Sequence, residues 1–372
     1  MINAENMDRS NYKRLGDYIR SVDVRNRDLA VTNLLGVSIS KTFIPSIANT
    51  IGTDMSTYKV VEPYQFAYGP VTSRNGDKIT FTLYKGTEKC IISQAYETFE
   101  IVDKEQLDPD YLMMWALRPE FDRYARFKSN GSAREIFSWD EMCEVYLPVP
   151  DIATKRRIVA EYQAVEKRIA TNERLIAKLE DTAQTIYKKM FVDDIDPAHL
   201  PDDWRIGGVD EIAKLKAGGD KPVVFSEEKT SLCNVPIYAN SSANEGIFGY
   251  TDKAAVTARS ITITARGSIR YCFLRSVPFF PIVRLVVTPY DSRFAEYLFY
   301  YYSNEHLEGD GSVQSQPTVP QLIQKPIIIP AKSVVIEFDR LVNPIDNSVK
   351  TAKKENELLQ SMKSLLLAKM IE

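Results

Sequence analysis

The chain has 372 residues, 44% of them apolar and 26% charged, with 47 basic against 50 acidic side chains and a formal charge of −3. That length accommodates two cores at the usual size of about 100–200 residues per domain, and the near-neutral balance excludes a broadly basic surface, so any nucleic-acid binding must come from local patches. No apolar run approaches the roughly 20 residues that cross a bilayer, the polar residues 1–11 lack a signal-peptide core, and the expectation is a soluble cytoplasmic protein with no membrane partner.

From residue 12 to about 149 the chain shows short β-rich runs at 59–61 and 78–84, broken by Arg74-Asn75-Gly76-Asp77 and Lys85-Gly86. Alternating β-branched and aromatic residues bounded by turn formers are strand and turn signals. A helix is predicted after Asp108-Pro109, carrying Tyr111, Leu112 and Trp115, with Phe121 beyond Pro119. Next comes the strongest periodic signal in the chain. Ile158, Tyr162, Val165, Ile169, Asn172, Ile176, Leu179, Ala183, Ile186 and Met190 alternate spacings of four and three, a heptad seam. The region from 204 to about 329 repeats the first pattern, with strands predicted at 235–239, 260–265, 269–274 and 282–288 and a helix near 293–303. A second seam follows, formed by Phe338, Val342, Ile345, Val349, Ala352, Asn356, Leu359, Lys363, Leu366 and Met370. Pro344 lacks an amide hydrogen, so this second helix is expected to start or kink there.

The two halves can be overlaid at an offset of about 180 residues. Gly131-Ser132, Arg134, Trp139 and Leu147-Pro148-Val149-Pro150 correspond to Gly311-Ser312, Gln314, Val319 and Ile327-Ile328-Ile329-Pro330. A repeat this long is too coarse for a solenoid, whose units run roughly 20–50 residues. Two globular domains, each followed by a long helix, fit better. The expected class is α+β, with two mixed α/β domains separated by two long antiparallel coiled-coil helices in a pseudo-two-fold internal repeat. Its boundaries fall at 1–149, 150–191, 192–330 and 331–372. Helices of this length span roughly 60 Å at ~1.5 Å per residue, enough to place two heads on separated patches of one duplex. A coiled-coil scaffold that binds proteins is the alternative.

Catalytic signals are sparse. Cys90, Cys143, Cys233 and Cys272 form no Cys-x-x-Cys pair, and His199 and His306 are the only histidines, so neither a zinc site nor a His-based triad has much to build on. Asp108-Pro109-Asp110-Tyr111 has an acid where an adenine methyltransferase motif needs proline. Asp202 with Glu227 and Lys229 matches only the loosest metal-dependent nuclease pattern, and Gly218-Gly219-Asp220-Lys221 lacks phosphate-loop spacing. Expected catalytic and metal-binding residues are therefore none. A basic stretch, 253–284, holds Lys253, Arg259, Arg266, Arg270, Arg275 and Arg284 without one acid; its bland reading is a solvated strand face.

The order of features resembles the specificity subunit of type I restriction-modification systems. In the first head the strings similar to that family's target recognition domains are Phe43-Ile44-Pro45-Ser46, Phe66-Ala67-Tyr68 and Gly131-Ser132-Ala133-Arg134 with Trp139. In the second they are Leu200-Pro201-Asp202-Asp203-Trp204, Pro236-Ile237-Tyr238-Ala239-Asn240, Gly249-Tyr250-Thr251-Asp252-Lys253 and Arg266-Gly267-Ser268-Ile269 before Pro278-Phe279-Phe280-Pro281. The second copy departs at Ser312-Val313-Gln314, and Arg270 follows Ile269 where relatives commonly have glycine.

The resemblance implies a non-catalytic DNA-recognition subunit. Each head would read one half of a bipartite asymmetric target in double-stranded DNA, and the helices would fix the spacer and dock two methyltransferase subunits, to which two restriction or translocase subunits can add. No cofactor is expected in this chain; S-adenosylmethionine, ATP and Mg are expected in the partner subunits. Arginine can bond guanine bidentately, Asn or Gln adenine, while lysines and hydroxyls mainly hold phosphate. The DNA-binding candidates are thus Arg74, Lys78, Lys85, Lys128, Ser132 and Arg134 in the first head, and Arg259, Arg266, Ser268, Arg270, Arg275 and Gln314 in the second.

Overall fold

The computed structural model describes residues 11–47, 51–73, 75–131, 134–241, 243–264, 272–304 and 319–371. It divides into two compact units, one of residues 1–171 with 355–372 and the other of residues 172–354.

The first unit opens with β1 (Tyr12–Arg14), a 3-10 turn Leu15–Asp17, β2 (Ile19–Val22), β3 (Leu35–Val37), β4 (Phe43–Pro45) and β5 (Lys59–Val61). It continues through β6 (Phe66–Tyr68), β7 (Phe81–Leu83), β8 (Cys90–Ile92) and β9 (Glu97–Ile101) to α1 (Pro109–Leu117), α2 (Pro119–Lys128) and α3 (Trp139–Cys143). Then β10 (Tyr146–Pro148) leads into the long α4 (Ile152–Phe191). Strands β2, β9, β6 and β7 form an antiparallel sheet in that order, while β3 pairs with β4 and β5 with β8. The Asp108 carboxylate accepts the Tyr111 amide at 3.0 Å and Pro109 occupies the first turn of α1, a cap with a residue already fixed for helix entry. Pro119 then cannot continue α1, and a second helix starts at a new angle. Phe66, Phe81 and Phe99 pack together between sheet and helices, with Phe66 and Phe99 stacked at 4.8 Å.

The second unit repeats this plan with β11 (Arg205–Gly208), a 3-10 turn Val209–Glu211, β12 (Ala213–Ala217), β13 (Val235–Tyr238), β14 (Ile247–Thr251) and β15 (Ser260–Ile263). After β16 (Cys272–Arg275), β17 (Phe280–Pro281) and β18 (Leu285–Pro289) come α5 (Phe294–Asn304), α6 (Val319–Gln324), β19 (Pro326–Ile329) and the long α7 (Lys332–Ala368). Its main sheet has the order β12-β18-β15-β16, all antiparallel, and β14-β13-β17 forms a smaller sheet. Strand for strand the main sheet matches β2-β9-β6-β7, and α3-β10-α4 recurs as α6-β19-α7 at an offset of about 180 residues. The internal repeat expected from sequence is present. The strand predicted at 269–274 is observed only from Cys272, residues 265–271 lying outside the described ones.

The two seams pair antiparallel within each unit. In the first, Val159 and Tyr162 of α4 share a core with Leu366 and Met370, and Glu166 meets Lys363 at 2.9 Å while Arg168 meets Glu355 at 2.8 Å. Burial pulls the Lys363 ammonium down, but Glu166 and Tyr162 more than offset it and hold it above its ordinary range. In the second, Glu180 meets Lys353 at 3.0 Å, and Tyr187 and Phe191 pack on Phe338 with ring centroids 6.1 and 5.0 Å apart. Asn172 is buried on the seam. Of the two outcomes expected at Pro344, a helix start is not observed: α7 runs through it from Lys332. The missing amide costs one helical bond, which the packing of Phe338 and Val342 on one side and Val349 and Ala352 on the other outweighs.

Phe338 is the most enclosed ring of this seam. Phe338→Ala is expected to destabilise the second unit by about 3–5 kcal/mol, read as a fall in its denaturation midpoint.

Candidate nucleic-acid interface

In the first unit two loops are stitched together by main chain. The Thr72 amide bonds the Glu135 carbonyl at 3.0 Å and the Phe137 amide the Pro70 carbonyl at 2.8 Å, with a bridge from Val71 to Ile136, while Asn130 and Ile136 bridge within the second loop. The Thr72 hydroxyl adds a bond to the Ser129 hydroxyl at 2.8 Å, and Arg126 pairs with Glu135. Gly131 sits at φ +135°, where a Cβ would lie 2.2 Å from the Arg134 carbonyl oxygen, so only glycine fits this turn. The far end of the first loop is pinned where the Asp122 carboxylate accepts the Ile79 amide at 3.1 Å and meets buried Lys41 at 2.8 Å. Burial lowers the Lys41 ammonium, against the opposing pull of Asp122.

This platform carries Lys78 and Arg134, both exposed. Lys128, at its base, is held by Glu141 at 3.2 Å and lies 6.0 Å from the Tyr124 ring centre. Lys85 is ion-paired to Asp110 of α1. Arg74 and Ser132 lie outside the described residues. A rigid loop pair bearing basic side chains can hold phosphate and present an arginine to a base edge.

In the second unit three of the six basic residues of the stretch, Arg259, Arg275 and Arg284, are held within the fold, while Lys253 is exposed. Arg284 is fully buried and Arg275 only 3% exposed. The Arg275 guanidinium donates to the Glu245 carboxylate at 2.9 Å, the Glu245 carbonyl at 2.6 Å and the Thr262 hydroxyl at 3.2 Å, and it lies 3.6 Å over the Tyr238 ring. Arg284 donates to the carbonyls of Ala239 and Ser241. Burial, then repulsion from Arg275, depresses Arg284 to about 10. Arg259 pairs with Glu296 and with Asp339 at 3.1 Å. Arg275, buried, and Arg259, partly exposed, thus spend guanidinium donors within the fold rather than presenting a free fork. Arg266, Ser268, Arg270 and Gln314 lie outside the described residues.

Sequence reasoning did not single out Glu245, Glu296 or the framework role of Arg284. A signal for Arg284 existed, since a lone arginine inside Pro281-Ile282-Val283-Arg284-Leu285-Val286-Val287 is either an edge residue or a buried, fully bonded one. Asp202, Glu227 and Lys229 are on exposed or half-exposed loops, and among the described residues no group of three or more His, Cys, Asp or Glu could hold a metal ion. No described helix is long and apolar enough to cross a membrane.

The comparisons with known proteins agree with this plan. Residues 201–360 match the family model for the type I restriction modification DNA specificity domain. Two curated proteins of Mycoplasma pneumoniae, provisionally described as type I specificity subunits, are 32% identical over 137 residues and 27% identical over 154 residues. These matches take in 36% and 41% of this chain and only 41% and 42% of the relatives' own lengths. The crystal structure of a type I restriction-modification S subunit from M. genitalium overlays with a TM-score of 0.63 at 14% identity, covering 100% of this chain and 98% of that one. At that identity the likeness concerns the fold.

Glu296 gives the second unit a pH signature. It is wholly buried, and burial, then Asp346, pushes its carboxyl up to about 7 against the pull of Arg259. A carboxyl raised in the folded state contributes stability that is complete below its ordinary range and is lost as pH rises through about 7. The denaturation midpoint of this unit is expected to fall between about pH 5 and pH 8, and Glu296→Gln to flatten that slope.

Proposed function

We propose that this chain, whose residues 201–360 match the family model for the type I restriction modification DNA specificity domain, is the DNA-reading component of a type I restriction-modification complex. Each unit reads one half of a split, asymmetric duplex target, and the long helices set the unread spacer. The observation that carries this reading is the identical strand order of the two main sheets, β2-β9-β6-β7 and β12-β18-β15-β16. The family match lies on the second unit, and the shared topology extends the same domain type to the first.

In the first head the stitched loop pair supplies Lys78 and Arg134, with Arg74 and Ser132 on the same two loops in sequence. In the second head, candidates Arg266, Ser268 and Arg270 between β15 and β16, and Gln314 between α5 and α6, stay in the proposal. Such loops suit sequence readout because phosphate contacts fix position while one or two forked side chains each discriminate by about 1–3 kcal/mol.

The chain itself supplies recognition, and the chemistry resides in partners. Two methyltransferase subunits would bind S-adenosylmethionine and methylate a flipped adenine in each half-site, and restriction subunits using ATP and Mg would add translocation and cleavage. A docking face for partner helices is supported in the first unit by Leu358, Met362 and Leu365 of α7. Spaced four and three apart, they lie on one helix face with 66%, 47% and 64% exposure.

Two experiments test this. Methylated adenines are mapped across the DNA of a host that co-expresses this chain with a type I methyltransferase subunit. A split motif with a fixed spacer that disappears on deletion is expected, and exchanging residues 192–330 for those of a relative should alter one half only. A contiguous motif, or methylation indifferent to deletion, sinks the reading and favours a protein-binding scaffold. Leu358→Glu with Leu365→Glu should separately abolish co-purification of the methyltransferase while leaving the fold intact by circular dichroism.

A further inference from the structure

The loop between β13 and β14 is held more firmly than its length requires. In it the carbonyls of Ala239, Ser241 and Glu245 receive guanidinium donors from two buried arginines. Within it Asn244 and Glu245 adopt left-handed backbone at φ 47° and 51°, followed by Gly246 at 83°, and Val283, beside Arg284, stands at φ 55°. For a β-branched residue that conformation is an outlier. Gly246 is obligatory, since a Cβ there would meet the Arg284 guanidinium at 1.9 Å.

Two like charges are thus buried side by side, and Glu245 and Val283 are kept in sparsely populated conformations, around one surface loop. Strain of this kind persists where the surroundings over-determine it, and it clusters where a surface must be preorganised. The arginines spend their donors on the inner side of the loop, and the exposed residues they leave outside include Ser241 and Asn244.

We propose that the described residues of this loop, 239–241 and 243–246, form a base-reading surface of the second unit, with Asn244 as the side chain that addresses a base edge and Arg275 and Arg284 as positioning residues behind it. This rests on the DNA-reading function proposed above. An Asn carboxamide matches the N6 and N7 edge of adenine in the major groove, so the position read is expected to be an adenine. Fixing the backbone beforehand removes an ordering cost that a loose loop would meet on binding.

The test is methylation-motif mapping of the assembled complex carrying Asn244→Ala, Arg284→Met or Arg275→Lys. Asn244 is exposed, so its loss should leave the fold intact. Preference for adenine at one position of one half-site should then relax by on the order of tenfold, with the other half unchanged. Arg284→Met should relax the same position, its folding checked by the denaturation midpoint, while Arg275→Lys, which keeps the charge, should retain part of the preference. If the wild-type complex gives a split motif and Asn244→Ala leaves every position sharp, the loop inference falls and the DNA-reading function stands. If Arg284→Met folds and keeps the motif sharp, the positioning role falls. Should the wild-type chain direct no methylation at all, both readings fall together.

Discussion

The architecture depends on how each head is closed. In the first unit β1 pairs antiparallel with β10, Tyr12 opposite Pro148, and in the second β11 pairs with β19, Arg205 opposite Ile329. These ladders join the two ends of a head of more than 120 residues, and the closing strand runs within a few residues into the long helix. Side chains alternate with a period of two along a strand and recur with a period of 3.6 along a helix. The register of the closing pair therefore sets which face of the following helix meets the head. A one-residue slip would turn Leu147 or Ile327 out of its core. Both units reinforce the point alike: Tyr111 of α1 donates its hydroxyl to the Pro148 carbonyl at 3.2 Å, and Tyr297 of α5 donates to the Ile328 carbonyl.

From that closure the helices inherit a defined phase, and the seams follow. Val159, Tyr162, Val165 and Ile169 are all buried on α4, as are Phe338, Val342, Val349 and Ala352 on α7. The head contributes to the same cores. Trp115 and Leu147 lie in one cluster with Val159, and Leu298 and Ile327 lie in another with Phe338. Helix and head are therefore not separable modules. Cutting the chain at the visible end of the last strand would expose apolar surface on both pieces, at roughly 25 cal/mol per Å².

Much of this was legible in the sequence. The helices are long and periodic, and Tyr162, Val165, Ile169, Asn172 and Ala183 of the expected seam are buried, while at its ends Val159, Tyr187 and Phe191 are buried where Ile158, Ile186 and Met190 are only partly so. The repeat was visible because a Pro-terminated apolar strand precedes each seam, at Leu147-Pro148 and Ile329-Pro330. The roles of the charges were not legible, because their partners are remote in sequence. Arg259 finds Glu296 and Asp339, and Arg275 finds Glu245. A linear basic run cannot tell an outward arginine from one whose acid arrives 30 or 80 residues away in sequence. The inner position of Arg284 depended on the pairing of β18 between β12 and β15, which no local signal fixes.

The two heads hold their exposed loops differently, and the difference follows from where their hydrogen bonds end. In the first, the loops around Thr72 and Glu135 hold each other through amides and carbonyls, groups that nearly every residue supplies. Lys78 and Arg134 are side chains added to a frame that does not use them. In the second, the loop after Tyr238 is held from below by two arginines, but these again grip carbonyls at three positions, and only Glu245 and Gly246 are tied by their identity. In both heads the cost of ordering the chain is met by main-chain acceptors and buried framework charges. The outward side chains stay nearly free of structural duty. Substitutions there cost little stability, usually within about 0.5 kcal/mol, whereas the arginines beneath cannot change without leaving carbonyls and Glu245 unsatisfied. Exposed side chains of these loops can therefore be exchanged without refolding, because the donors and acceptors that order the backbone lie beneath them.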